Sequence, residues 1–198
     1  GMMRYRLSRT SLRGIHFGYR GDLNVFYKSM TRDFFLTIIT LGIYSSWLQV
    51  NARKYVMKSS RFGNVSGRFN ATGGDLLLLS IGQMLLVAVT FYIYLPWAIV
   101  RFYKFYVENT TIEQNGKTYQ LKTNAKGGDF LYVLLKGVLF TIITLGIGGP
   151  VASLWIHKYF TESVTLTGGF DFDGVEQTEK AYTDATADDM ADILDFGF

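Results

Sequence analysis

Three long stretches of the chain carry no charged residue, and they alternate with segments rich in polar residues. They cover residues 34–52, 76–100 and 137–156, which are nineteen, twenty-five and twenty residues long. A helix needs about 20 apolar residues to cross the hydrocarbon core of a bilayer, so each stretch is long enough. Core helices of a water-soluble protein are the alternative, but three of them in 198 residues would leave little polar surface to cover them. The pattern therefore predicts three membrane-embedded segments.

The apolar stretches belong to a tandem repeat of roughly fifty residues. Its clearest sign is the string FLTIITLGI at 35–43, which returns as FTIITLGI at 140–147. Each of the three stretches leads to a basic and aromatic pair, and the chain begins with a fourth such pair at Arg4-Tyr5. The tyrosines of these pairs lie 50, 51 and 53 residues apart at Tyr5, Tyr55, Tyr106 and Tyr159.

The polar segments between the stretches predict β-hairpins followed by capped helices. Asn115-Gly116 is a strong hairpin signal, because both residues tolerate a positive φ. A Gly-Asp dipeptide closes three of the segments, at 21–22, 74–75 and 128–129, which suits a turn followed by a helix cap. The predicted unit is a polar hairpin, a capped helix, a break and a second short helix.

Charge divides the chain into a basic body and an acidic tail. Residues 176–198 contain seven acidic residues and one base, whereas the rest of the chain has an excess of bases. We predict a single repeat-built membrane domain over 1–175 and a solvated acidic C-terminal tail over 176–198. The predicted units of the domain are about 4–52, 53–103 and 104–156, with a partial unit at 157–175.

The bases also indicate how the units lie in the membrane. Residues 1–22, 53–75 and 101–129 contain five Lys or Arg each, which favours one shared cytoplasmic face. Each unit must then enter and return, with turns near 42–44, 94–96 and 148–150. The fold predicted is an α-helical polytopic membrane protein with three membrane-embedded helical hairpins and small β-hairpins on the cytoplasmic face.

The length of the return limbs leaves one alternative open. The first return limb has ten uncharged residues, about 15 Å of helix against a core of about 30 Å. Either the limbs dip partway and turn back, or long basic side chains extend the span.

Certain residues resemble those of a known family. The string LGIYxxW at 41–47, the following ARKY at 52–55 and RGIHF at 13–17 resemble the YjgN-like bacterial inner-membrane proteins, a domain family of unknown function. The break at 45–47 reads Ser-Ser-Trp, where the family often shows Tyr-Pro-Trp. The resemblance implies a multi-pass protein of the bacterial inner membrane, and supplies no activity.

Catalytic motifs are absent from the sequence. The chain has no cysteine, and His16 and His157 lack metal-ligand spacing to carboxylates. We therefore predict no enzyme, no cofactor and no metal. Lys28, Gln83 and Lys136 are the candidate intramembrane polar positions, because each lies roughly two turns into the first helix of its unit. They line a shared cavity in one interpretation; in the other, the lysines extend outward to the headgroups.

Two functions remain open from sequence. The first is a pore or carrier for small solutes, ions or lipid, by analogy with repeat-built transporters. The alternative is a non-transporting scaffold that recruits a partner through its hairpins and acidic tail. Membrane lipid is the expected partner, because a headgroup layer explains the basic residues more simply than nucleic acid does. A homo-oligomer stays open.

Overall fold

The computed structural model describes residues 11–12, 15–19, 22–168, 170 and 175. The predicted acidic tail and the aromatic pair at Tyr5 lie outside the described residues. Within the described part, pairs of strands alternate with pairs of helices along the chain. The helices are α1 (Leu23–Ile39), α2 (Ser45–Ser59), α3 (Gly73–Val89), α4 (Leu95–Glu108), α5 (Gly127–Ile143) and α6 (Gly149–Glu162).

The strands form one antiparallel sheet in chain order. They are β1 (Ser11–Leu12), β2 (Ile15–Tyr19), β3 (Ser60–Phe62), β4 (Val65–Phe69), β5 (Thr110–Gln114), β6 (Lys117–Thr123) and β7 (Val164–Leu166). The predicted hairpin is confirmed: Asn115 and Gly116, both at positive φ, join β5 to β6. The separate hairpins of the prediction are instead joined into one sheet, because β4 pairs with β5 from Val65↔Gln114 to Phe69↔Thr110. Pairing across units satisfies edge groups that isolated hairpins would leave open.

The helices form three antiparallel hairpins that share one end with the sheet. The first hairpin is α1–α2, the second is α3–α4 and the third is α5–α6, and consecutive helices pack on each other. The hairpins turn at residues 40–44, 90–94 and 144–148. The second and third turns lie earlier than predicted because Pro96 and Pro150 stand in the first turns of α4 and α6, where a missing N–H costs no hydrogen bond.

The helix starts use the Gly-Asp dipeptides in three different ways. Asp22 caps α1 by accepting a hydrogen bond from the N–H of Asn24. At α3 the cap is Thr72, and Asp75 completes a capping box with it. At α5 the capping position is Lys126, which makes no side-chain cap bond, and Asp129 lies in the first turn. Of the three aspartates predicted to cap a helix, Asp22 is at the capping position, whereas Asp75 and Asp129 lie in the first turn.

Two apolar clusters lie where the helices meet the sheet. Val50 of α2 and Leu76 of α3 pack with Phe69, between the first and second hairpins. Val100 of α4 and Phe130 of α5 form the corresponding cluster between the second and third hairpins. The core thus lies beside the sheet, and the far ends of the hairpins extend beyond it.

The prediction of a polytopic membrane protein is wrong for this structure. Among the described residues, no helix combines the length and the apolar character that a membrane crossing requires. The longest helices have 17 residues, about 26 Å at 1.5 Å per residue. Each uncharged stretch of the sequence is long because it contains the end of one helix, a tight turn and the start of the next. The length of each uncharged stretch is therefore the length of two helix ends and the turn between them, and not that of one helix crossing a membrane.

Candidate functional site

The turns of the three hairpins are apolar and exposed. We call residues 38–44, 88–94 and 142–148 the tips. Leu41, Phe91 and Leu145 at their summits are 94%, 86% and 92% exposed. Further large exposed apolar side chains flank them, namely Ile39, Ile43, Val89, Ile93, Ile143 and Ile147. No tip residue is charged.

Each tip satisfies its own backbone through the same threonine. The hydroxyls of Thr40, Thr90 and Thr144 donate to the carbonyl four residues earlier, at 2.7–2.8 Å. Each hydroxyl also accepts from the N–H four residues later, at 2.8–3.2 Å. Backbone polar groups that would otherwise face solvent are thus paired within the turn.

Two successive residues at each summit adopt positive φ. In the first and third tips they are Leu41-Gly42 and Leu145-Gly146. The N–H of the second residue bonds to a carbonyl five residues earlier at 2.8–2.9 Å in all three tips, which is the Schellman pattern. The second tip places Tyr92 at φ +67° where the other tips have glycine.

Aromatic side chains hold neighbouring hairpins together below the tips. Trp47 stacks on Tyr44, and its ring lies where a Cβ on Gly73 would come within 2.3 Å. Trp97 stacks on Tyr94 and packs on Gly127 in the same way, at 2.2 Å. A glycine at each helix start is therefore required by the tryptophan of the preceding hairpin.

Polar residues lie inside the hairpins about two turns from the tips. Asp33 is fully buried and accepts from Asn51 Nδ2 at 2.7 Å and from Arg32 at 2.9 and 3.0 Å. This pairing raises the pKa of Arg32, chiefly through the hydrogen bond to Asp33. Gln83 corresponds to Asp33 in position relative to Thr90, and its buried Oε1 has no hydrogen-bond partner among the described residues.

The three predicted polar positions differ in surroundings and depth. Lys28 is exposed and lies twelve residues before Thr40, near the sheet end of α1. Lys136 is exposed eight residues before Thr144, and its Nζ lies 4.4 Å from the ring centroid of Trp155. Gln83 is half-buried, seven residues before Thr90. Gln83 and Lys136 thus share a level, and Lys28 lies about a turn farther from its tip.

Basic residues collect at the sheet end of the first hairpin. A cavity of about 430 Å³ opens between the end of α2 and β4, and its lining includes Lys54, Lys58, Arg61 and Arg68. Beside it, the guanidinium of Arg53 lies 4.9 Å from the ring centroid of Tyr106 and 5.5 Å from that of Phe69. Burial lowers the pKa of Arg53 and raises that of Tyr106. A smaller cavity of about 270 Å³ lies beside Trp97, Arg101 and Lys104.

The described part of the chain contains no cluster of residues that could bind a metal ion. No group of three or more His, Asp or Glu residues lies close enough there to hold a metal ion. His157 lies on α6, and His16 lies in β2, where side chains are outside the described part.

Comparison with known proteins places the chain in a family. The model of the family described as "Bacterial protein of unknown function (DUF898)" matches residues 1–81 and 115–193. The chain belongs to this family. The resemblance seen in the sequence is thereby confirmed.

One curated relative is named as an inner membrane protein. The inner membrane protein YjgN of Salmonella typhimurium (strain LT2) is 41% identical over 46 residues. The match covers 23% of this chain and 12% of that relative. No solved structure matches the chain.

Sequence reasoning missed two of the features that build the site. The tip threonines are visible in the repeated string ending Thr-Leu-Gly-Ile, where their spacing from the glycine is constant. The glycines under the tryptophans follow Trp47 and Trp97 by 26 and 30 residues, a separation that no local pattern reveals.

Proposed function

We propose that this protein is a non-transporting scaffold of the bacterial inner membrane. It inserts its three tips into one leaflet without crossing it. The sheet then lies at the membrane surface, on the cytoplasmic side, and is the face offered to a partner. The role is binding, without catalysis.

The observation that carries this proposal is the chemistry of the tips. Summit residues such as Leu41 and Leu145 are almost fully exposed to solvent, which is unfavourable for large apolar side chains. The tip threonines and the Schellman bonds pair the backbone of each turn internally. Hydrocarbon excludes any turn with unpaired backbone groups, so this pairing makes the tips compatible with lipid.

The depth of the uncharged cap fits one leaflet. Counting from the turns, the first charged residue of each hairpin is Asp33 on α1, Arg101 on α4 and Lys136 on α5, which lie about 9–11 Å along their helices. Half of the hydrocarbon core is about 15 Å thick. The longest uncharged limb, residues 76–89 of α3, is about 21 Å, still shorter than the full core.

Other observations favour a scaffold over a carrier. Consecutive helices pack side by side, and the 430 Å³ cavity lies at the sheet end, away from the tips. The inner-membrane location of the relative supports the same membrane for this chain. The basic residues beside the sheet suit the anionic cytoplasmic surface.

Flotation with neutral phosphatidylcholine vesicles tests tip insertion. Each leucine moved from water into hydrocarbon contributes about 2 kcal/mol. The double variant Leu41→Asp with Leu145→Asp should therefore bind at least about 100-fold more weakly. Leu78→Asp is the matched control, because Leu78 is also exposed but lies eleven residues before the end of α3. Equal effects of tip and control variants would refute tip insertion.

Labelling tests whether the tips stop within the membrane. The chain contains no cysteine, so Leu145→Cys and Asn115→Cys provide single labelling sites at a tip and in the sheet. In vesicles, the thiol of the tip variant should resist an impermeant maleimide from both sides, whereas the thiol of the sheet variant should react from the side of addition. Reaction of the tip thiol from the opposite side would mean that the tip crosses.

A further inference from the structure

The cavity at the sheet end of the first hairpin has an unusual concentration of positive charge. Lys54 and Lys58 enter it from α2, Arg61 from β3 and Arg68 from β4. Asn70 and Ser66 add hydrogen-bonding groups to the same walls. The lining therefore combines four cations with neutral polar groups in a space of about 430 Å³.

Acidic residues neutralise this charge only in part. Arg68 pairs with Glu113 at 2.9 Å. Asp75 lies within electrostatic reach of Lys54, but the Asp75 carboxylate accepts hydrogen bonds from the N–H and hydroxyl of Thr72. Within the described residues, Lys58 and Arg61 have no carboxylate within ion-pair distance. Two cations thus remain to bind an anion.

The backbone explains why a cavity exists here. The antiparallel pairing of β3 with β4 joins Arg61 to Ser66 and Phe62 to Val65, so β4 extends beyond Ser60, the first residue of β3, from Arg68 onward. Helix α2 packs against β4 here, and a Cβ on Gly67 would lie 3.3 Å from Met57 Sδ. The glycine keeps the helix close while the lysines flank the open stretch of strand.

The second hairpin shows that a general basic surface does not account for this site. When the two hairpins are aligned on their tip threonines, Lys104 corresponds to Lys54. Lys58 and Arg61, however, are replaced by Glu108 and Thr111. Orientation by positive charge needs bases near the membrane without concentrating them in one cavity. The cavity of the first hairpin is lined by four bases, whereas the smaller cavity beside Trp97 is lined by three, Arg101, Lys104 and Lys126.

We infer that this cavity binds a phosphate group. Ammonium groups act as point charges toward phosphate, and a guanidinium offers paired N–H donors that match its oxygens. Two sources carry that chemistry: the headgroup of an anionic phospholipid and a free phosphate ester. Lys54 and Lys58 lie about 14 and 20 Å along α2 from its start, the level of headgroups for a tip inserted in one leaflet. The lipid source therefore rests on the proposed function, and the free source does not.

The test compares two variants of equal charge change in the 198-residue chain. Lys58→Gln with Arg61→Gln removes the two cations of the cavity that have no ion-pair partner among the described residues. Lys117→Gln with Lys122→Gln is the control, because both lysines are exposed on β6 and line neither cavity. One arm titrates inorganic phosphate into the detergent-solubilised protein by calorimetry. The other measures flotation with vesicles of phosphatidylcholine alone or with added phosphatidylglycerol.

The arms separate the two sources and the two proposals. Phosphate binding lost only in the cavity variant assigns the site to a free phosphate. A preference for phosphatidylglycerol lost by about 10-fold only in the cavity variant, without phosphate binding, assigns it to a headgroup. No flotation with either vesicle, together with phosphate binding, would refute tip insertion and leave the cavity site standing. Equal losses in cavity and control variants, or no loss in either arm, would refute the phosphate site.

Discussion

The first and third hairpins turn on almost the same sequence but hold their limbs together by different chemistry. In the first, buried Asp33 joins α1 to Asn51 of α2 at 2.7 Å. In the third hairpin, the corresponding residue is Gly137. It has no side chain, so Ala152 packs close to it: a Cβ added to Gly137 would lie 3.2 Å from the Cβ of Ala152. Lys136 and Phe140 then contact Trp155, which occupies the position of Asn51.

The difference follows from what covers each hairpin. The second hairpin packs over the first, so Val50 is buried and Trp47 lies on Gly73. Among the described residues no further hairpin covers the third, and its Leu154, corresponding to Val50, is 63% exposed. Thus the tip sequence specifies the turn, while the limb contacts vary with the neighbour.

The largest effect is expected where a tryptophan lies on a glycine. Gly73→Ala should destabilise the protein by about 3 kcal/mol, because the new Cβ would overlap the ring of Trp47. The neighbouring Gly74→Ala has only Thr72 Oγ1 at 3.7 Å and should be neutral or slightly stabilising. Urea unfolding in detergent measures both. Equal midpoints for the two variants would mean that the hairpins do not pack through Trp47.

The next effect concerns the buried carboxylate of the first hairpin. Asn51→Ala should cost about 2 kcal/mol, since it removes a hydrogen bond to a fully buried charged group. Gln49→Ala on the same helix removes only an exposed hydrogen bond to Tyr106 and should cost far less. Thermal unfolding followed by circular dichroism compares them; similar losses would show that Asp33 does not depend on Asn51.

A smaller effect is expected in the third hairpin. Lys136→Met removes a cation–π contact of 4.4 Å with Trp155, which is worth about 0.5–1 kcal/mol at an exposed site. A double-mutant cycle with Trp155→Leu isolates that coupling from the other contacts of the ring. A coupling energy of zero would show that the exposed limbs are held by packing alone.

The smallest effect is the pH dependence of the α3 capping box. Hydrogen bonds from Thr72 lower the pKa of Asp75, so its ionised form stabilises the folded state at neutral pH. This contribution should disappear as the pH falls through the lowered pKa. Thr72→Ala should reduce the loss of unfolding free energy over this pH range, measured by urea unfolding at each pH. Asp75→Asn is the control, because it removes the titrating carboxylate. An unchanged profile in Thr72→Ala would contradict the capping box.

The sequence was informative wherever a single segment determines the structure. Asn115-Gly116 predicts its hairpin because two adjacent residues tolerate positive φ, and the resemblance to the family rests on local strings. The sequence predicts a turn within residues 34–52, and the structure has one at residues 40–44. The prediction of a polytopic membrane protein is wrong because no helix among the described residues is long and apolar enough to cross a membrane. In the sequence, Asp33 only marks the end of an apolar stretch, because its partner Asn51 lies on another helix.

The predicted polar cavity illustrates a further limit. Lys28, Gln83 and Lys136 correspond to one another when residues are counted from the start of each helix. In the structure, the equivalent points of the three hairpins are the tip threonines, so residues must be counted from there. Measured from the tip threonines, Gln83 corresponds to Asp33, and Lys136 to Arg32. The functional role of these positions stays a prediction.

The order of strands and helices also bears on how the protein is made. Each strand pairs with the strands next to it in the chain, and each hairpin packs on the preceding one. Such a linear arrangement lets assembly start at any unit and extend to its neighbours. During synthesis, the first hairpin can therefore offer a finished edge to the second before the third has left the ribosome, so that folding proceeds by addition at one growing end.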